Sequence, residues 1–80
     1  MAMRAKELRL VVTFHTTAEA IAMEKYCKSD EISGRLIPVP RQISAGCGLA
    51  WSAPSEEGAR VKEYMAEKGL RFEEVGEYWI

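Results

Sequence analysis

Cys47 lies between two glycines, in the run Ser44-Ala45-Gly46-Cys47-Gly48. Neither neighbour has a side chain that could shield the thiol, and a glycine-flanked backbone can turn its N–H groups toward the sulfur. The run therefore predicts an accessible thiol on a loop, placed to react with, carry or bind another group. The alternative interpretation is an unreactive free cysteine in a glycine-rich hairpin loop, and the local residues favour neither.

Other residue types that could do chemistry are sparse. Cys27 continues the apolar stripe Ala20, Met23 of a predicted helix and is expected in the core. The two cysteines form no CxxC pair and there is one histidine, so a zinc site is not expected. The glutamates at 73, 74 and 77 lack metal-ligand spacing. We therefore expect no metal and no cofactor.

The elements that position Cys47 follow from periodicity and from turn residues. The pattern predicts a strand at 8–14, a helix capped by Thr16, an extended segment at 35–40, a strand at 49–53, a helix opened by Ser55 and ended by Gly69, and a strand at 70–80. Thr16 and Glu19 have capping-box spacing. The order in one domain of 80 residues is that of an α+β, ferredoxin-like βαββαβ sandwich, with a four-stranded antiparallel sheet and two helices on one face.

Two prolines support this topology independently. Pro38 and Pro40 cannot donate ladder hydrogen bonds, so their segment is expected at an edge of the sheet. The ferredoxin-like order also puts the second strand at an edge, with the first and third strands in the centre.

The same topology places the candidate site. The loop between the second and third strands is expected at the end of the sheet where the first strand finishes, so Cys47 should lie near His15 and Thr16. Arg41 belongs to that loop. A helix N-terminus and an arginine would both favour a thiolate. His15 is a candidate base or proton donor, although a residue that only bonds the backbone is the favoured alternative. Arg41 is either an anion-attracting side chain or a solvated charge.

The composition argues against several classes of protein. Hydrophobic residues at 48% and charged residues at 29% are typical of an ordinary soluble globular domain. A net charge of -1 does not favour nucleic acid as a partner, although residues 32–54 carry two arginines and no acid. The polar start, expected to be loose over residues 1–7, does not resemble a secretory signal, and no apolar run is long enough for a membrane span. We expect reduced thiols and a cytoplasmic location.

Four runs of the sequence resemble a known bacterial family. The matching runs are Phe14-His15-Thr16-Thr17, Ala22-Met23-Glu24-Lys25, Gly34-Arg35-Leu36-Ile37-Pro38-Val39-Pro40-Arg41 and Ser44-Ala45-Gly46-Cys47-Gly48-Leu49-Ala50. Together they resemble the selenium/sulfur carrier-like proteins, over roughly residues 8–75. The resemblance implies that Cys47 holds sulfur or selenium, as a persulfide or selenosulfide, and passes it from a donor protein to an acceptor protein. The site residue that it carries over is Cys47, in a transfer partner more than a stand-alone enzyme. The binding residues expected around the cysteine come from the topology and the loop, and are His15, Thr16, Arg41, Gly46 and Gly48.

The fold is also compatible with other functions. A ferredoxin-like domain can be a binding or regulatory module, or a homodimer, that pairs through an open sheet face lined by Val11, Thr13 and Trp51. A hydrolase of the acylphosphatase type would need a glycine-rich anion cradle after the first strand, where only His15 and Thr16 stand. RNA recognition is disfavoured because the first and third strands lack the expected aromatic and basic residues.

Overall fold

The structure is a computed structural model that describes residues 7–41, 43 and 47–80. Its elements are β1 (Leu8–Thr13), α1 (Thr17–Ser29), β2 (Arg35–Pro38), β3 (Leu49–Pro54), α2 (Gly58–Lys68) and β4 (Glu74–Trp79), with a 3-10 turn at Ser55–Glu57. Gly46 and nearly all of the predicted loose N-terminus lie outside the described residues.

The four strands form one antiparallel sheet in the order β2-β3-β1-β4. The central strand β1 pairs with both β3 and β4, with Val12 opposite Trp51 on one side and Val75 on the other. The predicted ferredoxin-like α+β fold is confirmed. The prediction for the proline segment is also confirmed, since β2 ends at Pro38 and forms an edge of the sheet.

Alternating residues of the two central strands bury one face of the sheet under both helices. This core contains Leu10, Val12 and Phe14 from the first strand and its exit, Trp51 and Ala53 from β3, and Ala20, Met23, Cys27, Val61, Tyr64 and Met65 from the helices. Trp51 is 2% exposed, and its Nε1 donates a hydrogen bond to the Ser33 carbonyl at 3.3 Å. Trp51 therefore packs in the helix-side core, as the interpretation of Trp51 as a packing residue requires, and it does not line an open sheet face as the binding-module alternative would need.

The start of α1 confirms the predicted cap with one change of partner. The Thr16 hydroxyl accepts a hydrogen bond from the Glu19 backbone N–H at 3.2 Å. The Glu19 carboxylate accepts a hydrogen bond from the backbone N–H of His15, at 2.8 Å, rather than from that of Thr16. The first bond satisfies a donor that the first helical turn would otherwise leave unpaired, and the second ties the residue before the cap to the helix.

The second half of the chain differs from expectation at two points. Ser55 does not cap α2; it begins the 3-10 turn, and the helix starts at Gly58. The reason is the hydrogen bonding of the first turn, because the Gly58 N–H donates to the Ser55 carbonyl, three residues back, and this closes a 3-10 turn before the α-helix. The last strand begins at Glu74 rather than at residue 70, and Phe72 is 36% exposed.

The opposite face of the sheet carries a second, smaller apolar cluster. Its buried members are Val11, Ala50 and Ile43, and Ile37, Val39, Tyr78 and Ile80 pack around them. Beside this cluster the Arg9 Nε donates a hydrogen bond to the Ser52 hydroxyl at 2.7 Å. The face that carries no helix is thus partly covered by the chain's own side chains.

Candidate functional site

The loop between β2 and β3 is held at its base and at its first turn. The Val39 N–H donates to the Gly48 carbonyl at 3.0 Å and closes the base. Within the loop, the Ile43 N–H donates to the Pro40 carbonyl, also at 3.0 Å, which ties Ile43 to the segment that follows β2. These bonds define both ends of the segment that carries Cys47.

Ile43 attaches the loop to the face of the sheet opposite the helices. It is 9% exposed and packs in the cluster that contains Val11 and Ala50. Ile43 was not among the residues predicted from the sequence, although it is the one large apolar residue in the run from Arg41 to Gly48 other than Cys47. An isoleucine in an otherwise small and polar loop is the signal that could have identified this anchor.

Cys47 reaches the other face. Its side chain is partly buried and packs against the helix-side core. The thiol lies 3.3 Å from the Leu49 carbonyl, to which it donates, and the Leu49 N–H lies 3.4 Å from the sulfur. The backbone of Leu49 therefore offers an acceptor for the hydrogen of a thiol and a donor for the negative charge of a thiolate. The thiol is less exposed than the flanking glycines suggest, but it is not enclosed.

Gly48 is the residue that allows this geometry. Its φ is +80°, a conformation in which an L side chain is strained, and a Cβ at this position would have nothing within 4 Å. Glycine is thus required for backbone conformation and not for lack of space. Gly46, the other flanking glycine, lies outside the described residues.

His15 is engaged by Glu19. Its Nδ1 lies 3.3 Å from Glu19 Oε1, the oxygen that also accepts its backbone N–H. This backbone hydrogen bond is the main reason that the pKa of Glu19 lies below its ordinary value of 4.5. The imidazole is 59% exposed. The imidazole thus contacts a carboxylate of the first helical turn, and not the backbone group that the structural alternative expected.

The remaining predicted residues share one end of the sheet without direct bonds to the thiol. Thr13 lies opposite Ala50, so Thr16 and Cys47, three positions beyond them along the two strands, project from the same end. Arg41 is exposed in the turn after β2. Within the described residues, no hydrogen bond joins Cys47 to His15, Thr16 or Arg41. The topology brings these side chains to one end, but it does not assemble them into a hydrogen-bonded catalytic group.

The thiol of Cys27 is not placed to react with another molecule. Cys27 is fully buried in α1, as predicted. Burial, with a further contribution from the negative charge of Asp30, raises the pKa of Cys27 from 9.0 to about 11. Cys47 is therefore the one partly exposed thiol of the chain.

Metal sites and membrane spans would each leave a recognisable arrangement of residues. Among residues 7–41, 43 and 47–80, no group of three His, Cys, Asp or Glu side chains is placed to hold a metal ion. No helix in the described part of the chain is long and apolar enough to cross a membrane.

A small ferredoxin-like domain with one partly exposed cysteine on a closed loop is the class that the fold and the loop define. Over residues 9–77 the chain matches the family model described as "Putative Se/S carrier protein-like". The match covers most of the 80 residues, and the chain belongs to this family. Neither the curated proteins nor the solved structures contain a match to it.

Proposed function

We propose that the protein carries a sulfur or selenium atom on Cys47 and transfers it between a donor protein and an acceptor protein. The observation that carries the proposal is the placement of Cys47 on a closed loop, partly exposed, in a chain whose other thiol is buried. Membership of the carrier-like family supports the same assignment.

The transfer needs no oxidant. The Cys47 thiolate attacks the terminal sulfur of a donor persulfide, the donor's S–S bond breaks, and the donor leaves as a thiolate while Cys47 becomes a persulfide. In the second half of the cycle an acceptor thiolate attacks the terminal sulfur of that persulfide. The bond to Cys47 breaks and the Cys47 thiolate is regenerated. A terminal selenium atom follows the same two displacements.

The backbone of Leu49 supplies what the cysteine needs in both states. Its N–H, 3.4 Å from Sγ, can donate to the thiolate that attacks and that later leaves. Its carbonyl, 3.3 Å away, accepts the hydrogen of the resting thiol. A transfer protein requires little more, because the donor and acceptor proteins contribute the other reacting group.

The neighbouring side chains have supporting roles in this proposal. The exposed Arg41 supplies positive charge in the loop that carries the thiol, which favours an approaching persulfide anion. Thr16 and His15 build the start of α1 at the same end of the sheet, and Gly46 and Gly48 provide the backbone freedom of the loop. We assign proton transfer to none of them.

The sheet-binding alternative receives less support. The residues expected to line an open face are buried, with Val11 at 1% and Thr13 at 2% exposure, and Trp51 belongs to the other face. Ile43 and Tyr78 occupy the space over the strands where a partner would bind.

The test is to load the protein with cysteine persulfide and to count the added sulfur atoms by intact-mass spectrometry. Three chains are compared, the unaltered protein, Cys47→Ser and Cys27→Ala. We expect the unaltered protein and Cys27→Ala to gain one sulfur atom, which a second small thiol then removes. Cys47→Ser should gain none. Equal loading of Cys47→Ser, or failure of the folded unaltered protein to load, would contradict the proposal.

A further inference from the structure

A groove of about 310 Å³ runs between the outer face of α1 and the segment that joins α2 to β4. Its α1 side is formed by Ala18, Ala22 and Tyr26, and its other side includes Leu70. Two alanines on one helix face leave room for an incoming side chain. Tyr26 is 46% exposed, and Ile21 on the same helix is 53% exposed. Ile21 does not line the groove, so the half-exposed ring of Tyr26 is the large apolar side chain that α1 offers there.

The opposite side of the groove is rigid. The chain leaves α2 through Gly69, whose φ is +65°, and the next two bonds close the helix end. The Gly69 N–H donates to the Ala66 carbonyl and the Leu70 N–H donates to the Met65 carbonyl. Leu70 then packs against the helix-side core. The groove is therefore built into the fold.

The charged side chains that line the groove differ in how far they are already engaged by other groups of the protein. Its cations are Lys68 and Arg71, and among the described residues that line it the one carboxylate is Glu19. Glu19 accepts the backbone N–H of His15 and lies 3.3 Å from its Nδ1, and its side chain is 16% exposed. Lys68 is 41% exposed, lies 3.9 Å from Asp30 and has its Nζ 5.9 Å from the Tyr64 ring, while Arg71 has no ion pair within the described part of the chain. To a ligand the groove presents an apolar floor and, on its rim, the unpaired positive charge of Arg71 beside the paired Lys68.

The groove opens at the end of the sheet where Cys47 lies. Ala18 is in the first turn of α1, directly after Thr16 and Thr17. On the other side, the Glu73 N–H donates to the Thr13 carbonyl, so residues 70–72 approach β4 at the end where β1 finishes. Since β3 begins at that same end, two residues after Cys47, a partner in the groove would lie at the same end of the sheet as the thiol.

We propose that this groove docks an acidic segment of the donor or acceptor protein, with one apolar side chain inserted over Ala18 and Ala22 and carboxylates facing Lys68 and Arg71. The inference deepens the proposed carrier function and rests on it for the identity of the partner. Charge complementarity selects the segment, and the shape of the groove selects the apolar residue.

The experiment follows backbone amide shifts of the full-length isotope-labelled protein by NMR as a synthetic peptide is added. The probe is a short peptide with glutamates around a central leucine, and its counterpart has a lysine at each glutamate position. The groove variant is Lys68→Glu with Arg71→Glu. The matched control is Arg60→Glu with Lys62→Glu, which makes the same charge change at exposed positions of α2 outside the groove.

The docking proposal predicts saturable shifts at Ala18, Ala22 and Leu70 with the acidic peptide, and at least tenfold weaker binding by the lysine peptide. The groove variant should lose at least tenfold in affinity, whereas the control variant should keep its affinity apart from a general charge effect of about twofold. Shifts located elsewhere, or equal losses in both variants, would overturn the proposal. Concentration-dependent shifts of the same amides without peptide would assign the groove to a second copy of the chain and overturn the assignment to a partner.

Sulfur loading of the same samples separates this inference from the carrier proposal. Loading by cysteine persulfide needs no docking and is expected to be unchanged in the groove variant. If loading succeeds and the peptide does not bind, only the docking proposal fails. If Cys47 does not load in any sample, the carrier function fails, and peptide binding then reports a docking surface of a different kind.

Discussion

The backbone N–H of Val39 donates to the carbonyl of Gly48 at 3.0 Å, and this single bond closes the loop that carries Cys47. On one face of the sheet the loop is attached through Ile43, and on the other the cysteine packs against the helix-side core. The thiol is thus placed by a fixed base and by one anchor, although the loop contains glycines.

Gly48→Ala should alter thiol reactivity through the backbone. At φ +80° an alanine costs about 1–2 kcal/mol, and no clash adds to this. Relief of this strain shifts Leu49, whose N–H and carbonyl contact the sulfur. We expect lower stability in urea denaturation and a changed rate of Cys47 alkylation by iodoacetamide.

Gly69→Ala is the matched control for that substitution. Gly69 has φ +65°, and a Cβ at this position would also have nothing within 4 Å, so a similar loss of stability is expected. The alkylation rate of Cys47 should stay unchanged in Gly69→Ala. The same change of rate in both variants would show that global destabilisation, and not the loop geometry, controls the thiol.

Ile43→Ala should release the loop from the sheet. The loss of a nearly buried isoleucine destabilises by about 2 kcal/mol, and Cys47 should be alkylated faster because its loop has lost its anchor. Ile37→Ala serves as the comparison, since Ile37 packs on the same cluster from β2. Equal acceleration in the two variants would contradict the role of Ile43 as the loop anchor.

Cys27 should make stability depend on alkaline pH. Its pKa is raised from 9.0 to about 11 in the folded chain, so its contribution is present below pH 9 and is lost as the pH rises toward 11. Burial also raises the pKa of Tyr64, which adds to the same trend. The slope of unfolding free energy between pH 9 and 11 should therefore be smaller in Cys27→Ala than in the unaltered protein. Identical slopes would show that Cys27 does not titrate with this shift.

Glu19 should make stability depend on acidic pH. Its pKa lies below 4.5 in the folded chain because the carboxylate accepts the His15 N–H, so its contribution is present above pH 4.5 and is lost as the pH falls. Glu19→Gln is expected to flatten the acid limb of a thermal-unfolding profile. Asp30→Asn, a substitution at the other end of α1, tests whether any helix carboxylate has the same effect.

The fold was predictable because its signals are local and agree with one another. Alternation in β1, the cap at Thr16 and the prolines after Arg35 each point to the same topology. The start of α2 was not, because a 3-10 turn at Ser55–Glu57 replaces the expected serine cap, and no residue type in that run signals the change. Capping-box spacing likewise predicted that the Glu19 carboxylate would accept a backbone N–H. The donor is His15, one residue before the expected Thr16, and the spacing does not distinguish the two.

The site was predictable only in part, for a similar reason. Glycines on either side of Cys47 predict an accessible thiol, but the extent of its burial depends on how the loop packs against the core. His15 was a candidate partner of the thiol, and its engagement by Glu19 follows from the helix start. The groove beside α1 has no local signal, because its two sides come from residues about 50 positions apart.

The position of Cys27 has a consequence for the lifetime of a loaded carrier. A persulfide is lost when a nearby second thiolate resolves it into a disulfide and expels hydrogen sulfide. Here α1 begins at the end of the sheet that holds Cys47, and Cys27 lies ten residues along it from Thr17, about 15 Å away along the helix axis. Cys27 is also fully enclosed and stays protonated at neutral pH. In the carrier role proposed above, a persulfide on Cys47 would therefore not be resolved by Cys27, and its release would require a thiol from another molecule.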